Sequence, residues 1–314
     1  MNYQTKLMFG TTSGLLMKLA SAVLVVAALL PAQAHALTCG QGVTSNVTLT
    51  ADLVCQHQDG LEIQASNVTI DLNGHTISCV SPTGFMGSCQ PVGPTSTGNC
   101  CFGIGVPLGP ASGIVIRGPG VITGFSTGIL FNQVAGLLIQ GVTITGPAIP
   151  SSTDFDNHRG GAAGIQVSHT SCSPFAPGHT TIIEYNDISN QGYGIGFSGV
   201  SCALIQANNI HDNSWAAGGY GIAISDSVGS CGPACTKPAT ANAVVNNIVV
   251  RNGSNATQPP PALQEGGVLI TGNTSPVITA ATTWSSSTIR VETAATASRY
   301  GPAPTTTSLR QISR

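Results

Sequence analysis

The chain has 314 residues, and its ten Lys and Arg residues face twelve Asp and Glu residues. Glycine, serine, threonine and asparagine are abundant, which favours β-strands and turns over helices. Lys and Arg do not cluster, so the basic surface that a nucleic-acid partner requires is missing and such a partner is excluded.

The N-terminus has the pattern of a secretory signal peptide. Lys6 and Lys18 precede an apolar run from Leu19 to Leu30, and Ala34-His35-Ala36 forms a small-residue cleavage site. The run is too short to span a bilayer, and no later stretch approaches that length. We therefore predict a signal peptide over residues 1–36 and a secreted or periplasmic mature chain without a membrane span. A retained signal anchor is the alternative.

A short strand motif recurs along the mature chain. Its clearest copies are Gly192–Phe197 and Gly219–Ile224, and looser copies lie at Gly113–Ile116, Gly128–Phe131, Gly136–Ile139, Gly164–Val167 and Gly267–Ile270. A second motif alternates with it at Ile183–Ile188, Ile205–Ile210 and Val244–Ile248. Such short strands bury their apolar faces only when successive coils stack, which predicts a solenoid. Asn186, Asn208 and Asn246 are predicted to form a hydrogen-bonded ladder in one turn.

The segment Asn67–Ile77, which reads NVTIDLNGHTI, resembles the right-handed parallel β-helix superfamily that includes pectate lyases. With the later repeats, the resemblance spans Val68–Val291 and implies an all-β, single-stranded right-handed parallel β-helix stapled by disulfides. The predicted organisation is a cap and first strands over 37–66, the β-helix over 67–292 and a C-terminal tail over 293–314.

That superfamily contains polysaccharide lyases, glycoside hydrolases, uronate epimerases and proteins without catalysis, so the resemblance does not select an activity. Within the segment, Asn73-Gly74 fits a tight turn that Asp71 caps, and we expect Asp71 and His75 to be structural. Arg117, just before Gly118-Pro119, is also expected to be a turn residue.

All ten cysteines follow the predicted cleavage site, which favours disulfides in an exported chain. Aligning Gly164 with Gly194 places Cys172 and Cys202 at the same offset, about 4.8 Å apart in stacked coils, and predicts a disulfide between them. Cys231 and Cys235 are expected to close a local loop, and Cys39 and Cys55 to fasten the N-terminal cap. The other four, Cys79, Cys89, Cys100 and Cys101, can pair in three ways, and the sequence does not choose between them.

One family of loops follows the asparagine motif, at 145–163, 189–193, 211–220 and 249–266, and holds most of the scarce charged and aromatic residues. Stacking would bring these residues to one long edge. General acid–base chemistry suits the candidate catalytic residues Asp154, Asp156, His158, Arg159 and His211. Packing on sugar rings or pairing with a uronate suits the candidate substrate-binding residues Tyr193, Trp215, Tyr220 and Arg251.

Other interpretations remain beside this one, because charged loop residues are commonly just solvated and His211-Asp212 suits a turn. The N-T-D, D-D, G-H-G and R-I-K motifs of polygalacturonases do not occur. Asp154 and Asp156 are too few for the six to eight oxygen ligands of Ca²⁺, so no cofactor or metal is predicted. The oligomeric state is left open.

Two functions follow as hypotheses. The first is a lyase or epimerase acting on a uronate polymer, in which His158 or His211 abstracts the proton next to the carboxylate and Arg159 or Arg251 stabilises the resulting charge. The second is a β-helix that binds a polysaccharide, or serves structurally, without catalysis. The scarcity of ionisable residues favours the second, whereas their clustering at one edge favours the first.

Overall fold

A computed structural model describes residues 37–56, 58–80, 102–106, 110–146, 163–170, 172, 180–213, 220–226, 239, 241–252, 266–271, 283–284, 288–292 and 307–309. The regular elements among them are β-strands in three sheets, named A, B and C. From Gln41 to Thr271 the chain runs from A to B to C and returns to A, so each coil in this part adds one strand to each sheet. The all-β parallel solenoid is confirmed.

Sheet A opens each coil. Its strands are β1 (Gln41–Val43), β4 (Leu61–Ile63), β7 (Phe102–Val106), β10 (Thr127–Asn132), β13 (Ala163–Ser168), β16 (Tyr193–Ser198), β19 (Tyr220–Ser225), β22 (Gly266–Thr271), β24 (Thr288–Glu292) and β25 (Thr307–Leu309). They pair in parallel except for β24 with β25. The recurring glycine of the repeat has a packing role, because a Cβ at Gly194 would overlap the side chain of Ile210 and the backbone of Gly221.

Sheet B follows. Its strands are β2 (Val47–Thr48), β5 (Thr69–Asp71), β8 (Ala111–Arg117), β11 (Val134–Gln140), β14 (Thr181–Glu184), β17 (Ala203–Gln206) and β20 (Ala243–Val245). The prediction that Gly113–Ile116 and Gly136–Ile139 are copies of the sheet A strand is wrong, since both lie in sheet B. Gly113 and Gly136 have positive φ angles of 66° and 72°, so they satisfy a backbone bend instead of packing against an isoleucine.

Sheet C closes each coil. Its strands are β3 (Leu53–Gln56), β6 (Thr76–Val80), β9 (Val121–Thr123), β12 (Thr143–Thr145), β15 (Asp187–Ser189), β18 (Asn209–His211), β21 (Ile248–Val250) and β23 (Thr283–Trp284). In β15 and β18 the middle residue, Ile188 or Ile210, is buried and its two neighbours point outward. Stacked apolar side chains from all three sheets form one continuous core.

An asparagine ladder lies between sheets B and C. Asn186 donates its side-chain amide to Asn208 Oδ1 at 3.0 Å, and Asn208 donates to Asn247 Oδ1 at 2.9 Å. The ladder is confirmed at two positions, but its third member is Asn247 and the prediction of Asn246 is wrong. Asn246 is exposed with φ 53°, because the first residue of this two-residue turn takes the left-handed conformation and the second points inward.

Two disulfides lie among the described residues. Cys172–Cys202 joins successive coils with a Cα–Cα distance of 5.2 Å, which confirms the pairing predicted from the repeat. Cys39–Cys55 fastens the first coil at a Cα–Cα distance of 5.5 Å. Cys79 is also disulfide-bonded, whereas Cys89, Cys100, Cys101, Cys231 and Cys235 lie outside the described residues.

Disulfides fit an extracellular protein. Within the described ranges, the chain contains no helix that could cross a lipid bilayer. The predicted signal peptide at 1–36 lies outside those ranges and stays a prediction.

The turn at Asn73-Gly74 has the expected geometry. Both residues have positive φ, at 48° and 82°, and Asp71 Oδ1 accepts a hydrogen bond from the Asn73 backbone at 2.9 Å. His75 Nδ1 lies 3.3 Å from Asp52 Oδ1, while Arg117 ends β8 and pairs with Asp71 at 2.7 Å. These contacts join successive coils to one another.

Candidate functional site

The predicted edge is the turn from sheet C to sheet A, as the order of the strands requires. The structure describes only part of it. Its described members include Tyr193, His211, Tyr220 and Arg251. The other candidates, Asp154, Asp156, His158, Arg159 and Trp215, lie outside the described residues, so their roles stay predictions.

His211 lies at the centre of a polar cluster on the outer face of sheet C. Its Nε2 is 2.9 Å from Asp187 Oδ1 on the preceding coil, and its Nδ1 is 2.6 Å from Asp212 Oδ2. Asn209 donates its side-chain amide to the same Asp187 oxygen at 3.1 Å. Two side chains of the neighbouring strand, Asn209 and His211, thereby contact the same Asp187 oxygen.

Arg251 extends the cluster to a third coil. Its Nε and Nη2 each donate to one oxygen of Asp212 at 2.6 Å, which is a bidentate pair. The hydrogen bonds from Arg251, with a smaller contribution from His211, lower the pKa of Asp212 to about 2. The same bonds raise the pKa of Arg251. We call Asp187, Asn209, His211, Asp212 and Arg251 the edge patch.

The local backbone explains why these residues align. Asp212 and Arg251 share a left-handed conformation at the end of their strands, with φ of 55° and 50°. The residues that follow, Asn213 and Asn252, are buried and linked by a 2.8 Å amide hydrogen bond. This inner bond fixes the register of the two coils, so the outer Asp212 and Arg251 face each other.

The two tyrosines lie on the other side of the turn, at the start of sheet A strands. Tyr193 and Tyr220 stack with ring centroids 6.0 Å apart and an interplanar angle of 9°. Tyr220 is only 9% exposed, and burial raises the pKa of Tyr193. The tyrosines therefore lie on a different sheet from the edge patch, although the sequence had grouped them with it.

The contacts of His211 restrict its chemistry. Each ring nitrogen faces a carboxylate oxygen, and a neutral imidazole carries a hydrogen on only one nitrogen. Donating to both carboxylates at once would need a hydrogen on each ring nitrogen. Proton abstraction by His211 would require one of these contacts to open.

Asp187 and Asn209 were not among the predicted site residues. The 22-residue spacing of Asn186 and Asn208 carried the signal, because the same spacing places Asp187 beside Asn209. The same 22-residue spacing pairs His211 with Ser189 on the neighbouring strand. Ser189 is two residues from Asp187, so His211 lies within reach of the Asp187 side chain. Among the described residues, no group of three His, Cys, Asp or Glu side chains could hold a metal ion.

Comparisons with protein-family models, with curated proteins and with solved structures found no match to this chain. The interpretation of the edge patch therefore depends on its own geometry.

Proposed function

We propose that this chain is an exported right-handed β-helix protein of the superfamily that includes pectate lyases, and that its edge patch binds a saccharide without cleaving it. The resemblance of Asn67–Ile77 and the stacked three-sheet architecture support the superfamily. The predicted signal peptide and the two disulfides support export.

The observation that carries the binding proposal is the ion network from Asp187 through His211 and Asp212 to Arg251, which joins three successive coils. Its polar groups are fixed before any ligand arrives, so binding would cost little conformational entropy. Arg251 is 65% exposed and uses Nε and Nη2 on Asp212, which leaves Nη1 for a sugar hydroxyl or carboxylate.

An apolar contact lies beside these polar groups. Ile248 is 48% exposed and pairs in register with Asn209 on the outer face of sheet C. Saccharide sites combine a few placed polar groups with apolar surface for the C–H face of the ring. The edge patch with Ile248 offers both on a rigid sheet.

Binding without catalysis is favoured because His211 has a carboxylate at each nitrogen. The second candidate function is a lyase or epimerase acting on a uronate polymer. The placement of Arg251 next to the His211–Asp212 pair favours it, since a guanidinium could neutralise the enolate that forms when His211 takes the proton.

Calorimetric titration of the purified protein with polygalacturonate, alginate and neutral glucans would test the proposal. We expect one of these polymers to bind, with Arg251→Gln and Asp187→Asn each weakening binding at least about tenfold, or about 1.4 kcal/mol. Asp52→Asn is the matched control, because Asp52 also contacts a histidine, His75, but lies outside the patch. Failure of every polymer to bind would overturn the proposal.

Catalysis would be detected separately. A lyase would give an unsaturated product that absorbs in the ultraviolet, and an epimerase would incorporate solvent deuterium at the carbon next to the carboxylate. Either signal, if lost in His211→Gln or in the Asp154/His158/Arg159 triple alanine variant, would replace the binding proposal by the catalytic one.

A further inference from the structure

The outer face of sheet B carries a continuous apolar stripe. Half-buried, outward-pointing residues of six successive strands are aligned in register: Thr69, followed by the apolar Val115, Leu138, Ile182, Leu204 and Ala243. We call these residues the sheet B stripe. Leu138 and Leu204 are each flanked by buried residues that point into the core, so their own side chains lie on the outer surface.

The fold alone does not require this composition. The equivalent outer column of sheet C, aligned in the same way, mixes both classes of residue: Thr76, Val121, Thr143, Asp187, Asn209 and Ile248. Leucine has no strong preference for strands, so strand propensity does not account for Leu138 and Leu204. From Val115 to Ala243 the column on sheet B is uninterrupted by a polar residue, unlike the mixed column on sheet C, and such an apolar column suits a surface that another molecule covers.

A polar ladder runs beside the stripe, two residues further along each strand. Asp71, Arg117, Gln140, Glu184 and Gln206 are in register on consecutive strands. Gln140 and Gln206 each donate an amide hydrogen bond to Glu184. Arg117, 54% exposed, donates Nε and Nη2 to Asp71 and so retains Nη1 for a further acceptor.

The charges of this ladder are complementary to the same ladder turned around. Gln140 lies on β11, the fourth of the seven strands of sheet B. Consider two copies whose sheet B faces meet, related by a two-fold axis that lies between them and runs parallel to β11. This rotation reverses the order in which the strands stack, but each residue keeps its position along the strand direction. Arg117 then faces Glu184 of a second copy, and Asp71 faces Gln206.

The stripe is self-complementary under the same operation. Leu138 meets Leu138 of the second copy, and Val115 meets Ile182. We propose that the outer face of sheet B binds a second copy of this chain in a two-fold symmetric dimer centred on β11, in which the coils of the two copies stack in opposite directions. Such isologous pairing is the commonest form of homo-oligomer, and two Arg117–Glu184 pairs would fix its register.

Sedimentation velocity over a concentration series would test the dimer with the full-length mature protein. We expect a monomer–dimer equilibrium that Leu138→Asp abolishes. Ile248→Asp, the same class of change on the outer face of sheet C, should leave the equilibrium unchanged. A wild-type protein that stays monomeric at the highest concentration, or a Leu138→Asp dimer as stable as wild type, would overturn the inference.

A charge exchange separates loss of the interface from loss of the fold. Arg117→Glu or Glu184→Arg alone places like charges opposite each other across the two-fold axis, and each should weaken the dimer at least about tenfold. Mixing the two single variants should restore a heterodimer, because each reversed residue then meets its complement. If the mixture dimerises no better than the single variants, the proposed pairing is wrong. Neither change alters the edge patch, so saccharide binding is tested independently.

Discussion

Arg251 and Asp212 come from successive coils and form a bidentate ion pair, with both Arg251 nitrogens 2.6 Å from the carboxylate oxygens. The pair holds the pKa of Asp212 at about 2, below its ordinary value of 3.8. A depressed carboxylate pKa contributes stability that is present above the ordinary value and is lost as the pH falls towards 2. Because the pair is on the surface, this contribution is at most about 1 kcal/mol.

We therefore expect Arg251→Gln to return the pKa of Asp212 towards 3.8. An NMR titration of the Asp212 side-chain carbonyl would measure the shift directly. Asp52 serves as the internal control, since its pKa is lowered mainly by the Thr76 backbone hydrogen bond and should not respond to Arg251. An unchanged Asp212 titration in the variant would show that the pair does not form in solution.

The ladder residue Asn208 is expected to be a major source of stability. Its amide donates to Ile183 O and Asn247 Oδ1, and its Oδ1 accepts from both the backbone and the side chain of Asn186. Asn208→Ala leaves several buried polar groups unpaired, and each such group costs about 1–3 kcal/mol. We therefore expect the free energy of unfolding to fall by about 3 kcal/mol. Urea unfolding would measure it.

The matched control for the ladder is Asn246→Gly. Asn246 is exposed in the left-handed conformation, which glycine adopts without strain. Its unfolding free energy should therefore remain close to wild type. Equal losses in Asn208→Ala and Asn246→Gly would contradict the assignment of Asn247, rather than Asn246, to the ladder.

The sequence predicted the stacking register well where two coils place a residue at the same offset from the repeated glycine. Ile165 and Ile195 pair as expected, and this register is the reason why the Cys172–Cys202 disulfide could be predicted. The Gly-apolar pattern was less reliable, because Gly113 has a different physical role from Gly194: a backbone bend in sheet B and close packing in sheet A, respectively.

The candidate site was predictable only in part. The register places His211 and Arg251 at one edge, as expected, but Asp187 was overlooked because its neighbour Asn186 carried the visible repeat. Tyr193 was grouped with His211 because each borders a turn from sheet C to sheet A, yet such a turn separates two sheet faces. Neighbourhood along a solenoid turn therefore does not establish that side chains share a surface.

The Cys172–Cys202 disulfide should stabilise the stack of coils. It closes a loop between cysteines 30 residues apart in the sequence. The lost entropy of the unfolded chain predicts a stabilisation of about 3–4 kcal/mol. We expect the Cys172→Ser/Cys202→Ser double variant to lose that amount in urea unfolding, with the β-sheet circular dichroism of the native state unchanged. A double variant as stable as wild type would show that the coils remain aligned without it, and mass mapping of the wild type would confirm the bond.

Gly194→Ala tests whether the repeated glycine is required by packing. The added Cβ would overlap the Cγ2 of Ile210 and the carbonyl oxygen of Gly221, so we expect a loss of about 1–3 kcal/mol in the unfolding free energy. Ile210→Ala removes that Cγ2 and provides the second arm of a double-mutant cycle. If the clash with Ile210 is the cause, Gly194→Ala should cost clearly less in the Ile210→Ala background than in wild type. Strict additivity would mean instead that the backbone of Gly221 alone demands glycine, since that oxygen is present in both backgrounds.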